Sequence, residues 1–296
     1  MKKIIVFSLF LSIGFTLSAC EKADNEPIVE EEVCYAPQDY SETLTYELVW
    51  SDEFDGTELD TTKWYYEVNG YGGGNNEEQY YTDENVVVSE GILKIIAEKE
   101  EYNGMQYTSS RITTKNKAEF KYGIFEARIK LPAGRGTWPA FWMMPVYSRY
   151  GIWPRSGEID IMEHVGYDLN HIHSTIHTRY YNGPNNTQLG GGTTIFTDVT
   201  EEFHVYKVEW LPDRMIFHTD DKMVYTYKPN NYSSCVGYEI WPFNSPFFMI
   251  LNLAIGGDWG GQQGIDDTIF PVQMEIDYVR VYQALELENY DDNSTK

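Results

Sequence analysis

Short runs in which apolar and polar residues alternate recur along the chain, and long amphipathic helical patterns are scarce. Alternate residues of a strand share a face, so these runs predict half-buried β-strands. A hairpin is predicted where Asp220-Asp221 divides Arg214–Tyr227, and a short helical turn near Thr61–Trp64. Strands at short spacing, separated by Gly, Asn and Asp turns, predict an all-β sandwich or jelly roll. The other predicted strands are Gly91–Ala97, Gly123–Lys130, His204–Trp210, Phe247–Ala254 and Met274–Tyr282.

One further strand carries an unusual group of carboxylates in the sequence Glu-Ile-Asp-Ile-Met-Glu, residues 158–163. Alternation places Glu158 and Asp160 on one face and the isoleucines on the other. Glu163 has the wrong parity, and a β-bulge at Ile161–Met162 would return it to the carboxylate face. The two glutamate Cα atoms would then lie about four strand steps, roughly 13 Å, apart. Side chains leaning together could bring the carboxyl groups to the roughly 5–5.5 Å separation of retaining glycosidases.

The N-terminal residues have the layout of a secretory signal. Residues 1–19 contain two lysines and then an apolar run, and they end in Leu-Ser-Ala before Cys20. This ending is typical of a bacterial lipoprotein, in which Cys20 is lipidated and anchors the chain to the membrane; an ordinary signal peptide with an incidental Cys20 is the alternative. We predict a lipidated flexible tether over 20–40, one domain over 41–285 and an acidic tail over 286–296.

The net charge limits the partners of the chain. It is −24, and loss of Lys2 and Lys3 with the signal peptide makes it −26. Such a surface disfavours nucleic acid, anionic membrane and sulfated polymers, but it accepts a neutral substrate. We therefore expect no nucleic-acid partner, membrane contact through the N-terminal lipid alone, and a monomer. Cys34 and Cys235 are left to form a disulfide if Cys20 is lipidated, and the sequence leaves their pairing open.

Aromatic residues make up 16% of the chain. Several lie beside glycines in predicted loops, where flat rings can pack on sugar rings. Core packing is the alternative for each one, but five together favour a ligand groove. They are Tyr71, Trp138, Trp153, Trp241 and Trp259.

Several motifs together resemble glycoside hydrolase family 16 in its laminarinase-like form. The carboxylate strand matches the family's E-x-D-x-x-E signature, and the resemblance runs from about Trp50 to Gln283. It implies a concanavalin-like jelly-roll β-sandwich with a concave substrate groove. The other matching stretches are Trp50–Phe54, Asn75–Tyr81, Gly136–Trp142, Leu251–Gly261 and Met274–Tyr282.

The resemblance also implies catalytic roles. Glu158 matches the nucleophile, Glu163 the acid/base, and Asp160 the residue that tunes their protonation. This division fits the chemistry, because a nucleophile must be ionised and a general acid must begin protonated. Three crowded carboxyl groups repel one another when ionised, so at least one keeps a proton.

The groove residues implied by the resemblance include Arg111 and His177. The alternative for Arg111 is a surface ion pair, and His171, His173 and His177 could instead form a metal site. The full set of predicted substrate-binding residues is Asn76, Arg111, Trp138, Trp142, Trp153, His177 and Trp259.

A metal ion is implied only away from the groove. Family members often hold a structural Ca²⁺, at positions that match Glu53, the carbonyl of Gly91, and Asp277. No cofactor is expected for catalysis.

The sequence thus predicts a surface-anchored, retaining endo-β-glucanase that acts on β-1,3-glucan, on mixed-linkage β-1,3/1,4-glucan, or on both. One alternative is a non-catalytic glycan-binding lipoprotein, and a second is an agarase-like galactanase of the same family. We expect the bacterial outer membrane or cell surface as its location.

Overall fold

The protein is described here from a computed structural model, which covers residues 43–190, 194–288 and 290. The predicted signal peptide, the lipidated Cys20, the tether and Cys34 lie outside the described residues. In the described part of the chain, no helix has the length and apolar character needed to cross a membrane.

Strands dominate the described residues, with one short α-helix, α1 (Leu285–Glu288), and four 3₁₀ turns, Gly72–Gly74, Gly183–Asn185, Pro229–Asn231 and Asp267–Ile269. The strands are β1 (Tyr46–Asp52), β2 (Tyr65–Tyr66), β3 (Gln79–Tyr81), β4 (Val86–Ser89), β5 (Ile92–Ala97), β6 (Tyr107–Ser109), β7 (Arg111–Thr113), β8 (Gly123–Lys130), β9 (Thr137–Pro145), β10 (Glu158–Glu163), β11 (His171–His177), β12 (Leu189–Gly190), β13 (Thr194–Ile195), β14 (His204–Trp210), β15 (Met215–Thr219), β16 (Lys222–Tyr227), β17 (Phe247–Ile255) and β18 (Val272–Ala284).

The strands form two eight-stranded antiparallel sheets, which pack as a jelly-roll β-sandwich and confirm the predicted all-β fold. The first sheet has the order β16-β15-β14-β8-β18-β5-β4, with β1 also on β18. The second, here called the site sheet, has the order β12-β11-β10-β9-β17-β7-β2, with β13 also on β11. Strands β3 and β6 form a separate parallel pair.

Alternation along the strands builds the core between the sheets. In β8, Phe125, Ala127 and Ile129 are buried while the residues between them are not. Strand β17 is buried along its whole length, as is usual for a strand at the centre of a sheet. Each large aliphatic side chain so buried contributes about 1.5–3 kcal/mol. Because Leu251 and Leu253 point into this core, Asn252 between them faces the outer side of the site sheet.

Most of the predicted elements are confirmed. Strands β8 and β14 have the predicted bounds, and the predicted hairpin turns at Asp220-Asp221. The segment 61–63 is a turn.

Two of the aromatic predictions are wrong. Trp138 lies on β9 and not in a loop. Trp241 is in a loop, but only 8% of it is exposed and it packs in the core against Tyr227 and Phe243. A glycine precedes each of these tryptophans by two to four residues, Gly136 before Trp138 and Gly237 before Trp241, and this signal did not separate them from the exposed rings.

Candidate active site

The carboxylate strand β10 contains the predicted bulge. Asp160 lies opposite Trp142 of β9, and Glu163 lies opposite Ala140. Three steps along β10 therefore match two along β9, and the same register shift occurs against β11. The one extra residue lies at Ile161–Met162, and both of these side chains are buried. The bulge thus keeps two apolar residues in the core and returns Glu163 to the outer face of the site sheet.

Asp160 lies at the centre of the carboxylate group and is 3% exposed. The Nε2 atom of His177 lies 3.3 Å from Asp160 Oδ2 and 3.8 Å from Glu158 Oε1. The backbone N–H of Gly183 donates to His177 Nδ1 at 3.3 Å. Since Nδ1 accepts this bond, the neutral ring carries its proton on Nε2, where it faces the carboxylates.

Each glutamate of the group accepts a hydrogen bond from a tryptophan. Trp153 Nε1 donates to Glu158 Oε2 at 2.7 Å, and Trp138 Nε1 donates to Glu163 Oε1 at 3.1 Å. The ring of Trp153 also lies 5.8 Å from that of His177. Both indoles therefore orient a carboxyl group by contact.

All three carboxyl groups hold protons more tightly than usual. Burial is the main cause, and it raises the pKa of Glu158 to about 8, with repulsion from Asp160 adding to it. Burial likewise raises the pKa of Asp160 to about 8. Burial and then repulsion from Asp160 raise the pKa of Glu163 well above its usual range. The three groups lie close enough to titrate as one cluster that keeps at least one proton at neutral pH.

A tryptophan platform lies next to the carboxylates on β9. Phe141 and Met143 point into the core, so Trp142 faces the groove. Its Nε1 donates to Asn252 Oδ1 at 2.7 Å. The Arg111 guanidinium carbon lies 4.7 Å from the centre of the Trp142 ring.

Arg111 is also half of an ion pair, because its Nε lies 2.8 Å from Glu67 Oε2. The two predicted alternatives for Arg111, a position in the groove and an ion pair, therefore occur together. Glu67 aligns the guanidinium, and the guanidinium packs on the Trp142 ring.

Trp259 joins the group from the loop after β17. Its ring packs edge-on to His173 at 4.9 Å and to Trp138 at 5.4 Å. Trp259 therefore buttresses the indole that donates to Glu163.

Asn76 lies at the edge of the groove, where its Nδ2 donates to both carboxylate oxygens of Asp258, at 2.9 and 3.1 Å. Tyr71 is 91% exposed and lies in the Gly-rich loop before it.

Comparison with known proteins agrees with this geometry. The model of the Glycosyl hydrolases family 16 matches residues 73–280. The chain belongs to this family. It is a glycoside hydrolase, and the family membership predicted from the sequence motifs is confirmed.

Similar proteins with assigned activities cover between 82% and 97% of this chain. A β-glucanase from Rhodothermus marinus is 44% identical over 293 residues, which is 97% of this chain and 96% of the relative. The crystal structure of the laminarinase from Rhodothermus marinus is 47% identical with a TM-score of 0.79, over 82% of this chain and 100% of that one. SCLam, a non-specific endo-β-1,3(4)-glucanase of the same family, is 42% identical with a TM-score of 0.75, over 86% of this chain and 98% of that one.

The histidine-rich metal site is not formed. Among the described residues, Glu158, Asp160 and His177 are the acidic and histidine side chains close enough together to hold an ion. His171 is instead paired with Asp168, its Nδ1 2.5 Å from Oδ1. His173 packs on Trp259. In a family-16 hydrolase, the Glu158 group is better explained by acid–base chemistry than by metal ligation.

The two carboxylates among the predicted calcium ligands are paired with arginines. Glu53 is held by two bonds from Arg280, Nε to Oε1 at 2.9 Å and Nη2 to Oε2 at 2.8 Å. Arg128 Nη1 donates to Asp277 Oδ2 at 2.6 Å. Gly91 adopts a positive φ of 75° in the turn before β5.

Sequence reasoning missed several polar residues of the site, among them Asn252, Glu67 and Asp258. A signal existed for Asn252, since it is a lone amide in an otherwise apolar strand and is 5% exposed. Glu67 and Asp258 resemble any surface acid until Arg111 and Asn76 are seen beside them.

One disulfide cysteine is also described. Cys235 is disulfide-bonded, while Cys34, whose pairing with Cys235 the sequence leaves open, lies outside the described residues.

Proposed function

We propose that this family-16 chain is a retaining endo-β-glucanase that hydrolyses β-1,3-glucan and mixed-linkage β-1,3/1,4-glucan. The observation that carries the proposal is the bulge in β10, which presents Glu158 and Glu163 on one face with Asp160 between them. The β-glucanase, laminarinase and endo-β-1,3(4)-glucanase activities of the similar proteins support this substrate class.

In the first step Glu158, ionised, attacks the anomeric carbon, and the glycosidic bond breaks. Glu163 donates its proton to the departing sugar oxygen. The raised pKa of Glu163 favours this role, because the acid must begin protonated. The Trp153 N–H and His177 favour the ionised form of Glu158.

In the second step water attacks the glycosyl–Glu158 ester. Glu163, now ionised, accepts the proton of that water, and the sugar leaves with its original configuration. Asp160 stays between the two glutamates, with its Oδ2 3.3 Å from His177 Nε2. Ionised Asp160 raises the pKa of a neighbouring glutamate, whereas protonated Asp160 does not. The protonation state of Asp160 therefore adjusts the pKa of the glutamate that reacts in each step.

The test is the release of reducing sugar from laminarin, barley β-glucan and agarose by the wild type and by Glu158→Gln. We expect release from one or both glucans by the wild type and a loss of at least about 10³-fold in the variant. Equal release by both proteins would contradict the catalytic assignment. Release from agarose alone would favour the galactanase, and no release from any polysaccharide would favour a glycan-binding protein.

We also propose that the domain is tethered to the bacterial surface by lipid on Cys20. The apolar run of residues 4–17 and the Leu-Ser-Ala-Cys ending support the proposal. Cys20→Ser should release the protein into the soluble fraction, and unchanged membrane fractionation would contradict the anchor. Light scattering of the released domain would test the predicted monomer.

A structural Ca²⁺ at Glu53, the Gly91 carbonyl and Asp277 stays a prediction. The ion would have to replace Arg280 and Arg128 as partners of the two carboxylates. If it binds the folded state, excess Ca²⁺ should raise the melting temperature above that measured in chelator. Identical melting temperatures would remove calcium from the description.

A further inference from the structure

A buried row of polar side chains lies beneath the groove and is not part of the carboxylate group. It contains Glu77, Gln79, Tyr81 and Asn252, which are 7, 1, 2 and 5% exposed. Buried polar groups are costly unless each is hydrogen-bonded. Here hydrogen bonds join Gln79 to Glu77, Glu77 to Tyr81 and Tyr81 to Asn252, and the row ends at the indole of Trp142.

The direction of each bond in this row is fixed from the Glu77 end. Glu77 Oε2 accepts from Gln79 Nε2 at 2.7 Å and from the Tyr81 hydroxyl at 2.9 Å. The Tyr81 oxygen is then free to accept, and Asn252 Nδ2 donates to it at 3.2 Å. This leaves Asn252 Oδ1 facing Trp142, whose Nε1 can only donate.

Two further observations, at Gln79 and at Tyr81, fix these directions. Gln79 Oε1 accepts from the backbone N–H of Ile255 at 2.7 Å, so its amide must turn its NH₂ toward Glu77. Burial raises the pKa of Tyr81 well above its usual range, so the hydroxyl keeps the proton that it donates. No member can reverse its bond without leaving a buried group unpaired.

The Glu77 carboxylate is itself seated under a glycine. A Cβ built on Gly73 would lie 2.0 Å from Glu77 Oε1, and Gly73 has a φ of +58°. Gly74, next along the same turn, has a φ of +84° and nothing within 4 Å of its Cβ position. The turn therefore fixes the carboxylate at one residue and leaves open space at the next.

We propose that Glu77 is a positioning residue that sets the orientation of the Trp142 platform, through Tyr81 and Asn252, and so controls how tightly glucan is held in the groove. The inference rests on the proposed function, because it treats Trp142 as a surface for sugar. It assigns no proton transfer to Glu77. Its loss should therefore weaken substrate binding and leave the bond-breaking step intact.

The first experiment compares Gly73→Ala with its matched control Gly74→Ala, using a β-1,3-linked glucose hexamer as substrate. Both substitutions place alanine at a positive φ, but only the first pushes on the Glu77 carboxylate. Gly73→Ala should raise KM about three- to tenfold, with kcat within about twofold of wild type. Gly74→Ala should have a KM close to that of the wild type.

The second experiment is a double-mutant cycle of Tyr81→Phe and Trp142→Phe. Each change breaks the same row of bonds, so the double variant should raise KM no more than the larger single effect. Thermal unfolding of every variant checks that it is folded, and Gly73→Ala carries the test if Tyr81→Phe does not fold.

Three outcomes would overturn the positioning role: equal KM for the two alanine variants, multiplication of the two single effects in the cycle, or a fall in kcat at unchanged KM. Failure of the proposed function would look different. In that case the wild type itself would leave the hexamer uncleaved.

Discussion

Two indole N–H groups meet the two glutamates of the site, and each favours the ionised carboxylate that it contacts. Burial acts in the opposite direction and is the larger effect on both. The balance keeps a proton in the cluster while leaving an ionised glutamate accessible. With the proposed roles, activity should rise with pH as Glu158, the proposed nucleophile, ionises, and fall as Glu163, the proposed acid, loses its proton.

Removing either indole N–H should therefore shift one limb of the pH profile upward. Trp138→Phe raises the pKa of Glu163 further and moves the basic limb of kcat/KM to higher pH. Trp153→Phe raises the pKa of Glu158 and moves the acidic limb of kcat/KM to higher pH. A hydrogen bond to a charged group contributes about 1.5–3 kcal/mol, and partial replacement by water leaves a shift of roughly 0.5–1 pH unit. A profile in which Trp138→Phe moves only the acidic limb would exchange the two roles.

The raised pKa of Glu158 also predicts a cost in stability. The folded group titrates at about 8 and the ordinary value is 4.5. Between these values the folded state binds more protons than the unfolded state, so this group lowers the free energy of unfolding as pH rises. Glu158→Gln should remove that loss and gain about 1–2 kcal/mol at pH near 8, roughly 3–6 °C in melting temperature, and much less at pH near 5.

The control for this measurement is Glu47→Gln, at an exposed position of β1. Its melting temperature should differ little from wild type at either pH. A gain for Glu158→Gln that is larger near pH 5 would contradict the assigned direction of the pKa.

At the scale of the element, the bulge in β10 is one residue longer than its neighbours require. Deleting Met162 would pair Ile161 with Phe141 and keep Glu163 opposite Ala140. The catalytic carboxylates should thus stay on the same face, and reducing-sugar assays should still detect hydrolysis. Loss of a fully buried methionine should cost about 2–5 kcal/mol in the free energy of unfolding.

The matched control for this deletion is the insertion of one alanine after Asp160. It puts Glu163 four steps after Asp160, so plain alternation keeps its side chain on the outer face but moves it two residues, roughly 6.6 Å, further along the site sheet from Glu158. We expect hydrolysis to be lost in the insertion variant. Equal activity in the two variants would show that the register of Glu163 does not matter.

The alternation of apolar and polar residues predicted most strands of this sheet, because alternation depends only on residues that are neighbours in the sequence. Parity alone identified β10, its bulge and the shared face of Glu158 and Asp160. The same reasoning could not find the bond from Asn252 to Tyr81, since these residues are 171 positions apart and pair only after the sheets close. Trp241 failed in part for the same reason, because Tyr227, one of the rings that pack on it, lies on β16.

The whole molecule divides the work between its sheets. One sheet completes the core, and the site sheet presents the carboxylates, Trp142 and Arg111 on its outer face. The sequence as a whole carries a net charge of −24. Within the groove, however, Glu67 is paired with Arg111, and the raised pKa values of the β10 carboxyl groups keep them largely protonated near neutral pH. Shape and hydrogen bonding, with little help from charge, must therefore select a neutral polymer.

This charge predicts different salt responses for two substrates with the same backbone. KM for neutral laminarin should be nearly constant from low salt to about 0.5 M NaCl, because screening changes only interactions between charges. Carboxymethylated β-1,3-glucan should be cleaved poorly at low salt, and kcat/KM should rise about tenfold as salt screens its repulsion from the negatively charged protein. Since both polymers share the β-1,3 backbone, the difference isolates the field of the protein from the chemistry of the cleaved bond. A strong salt dependence with neutral laminarin would instead mean that ionic contacts shape the groove itself, with the Arg111–Glu67 pair as the first to examine.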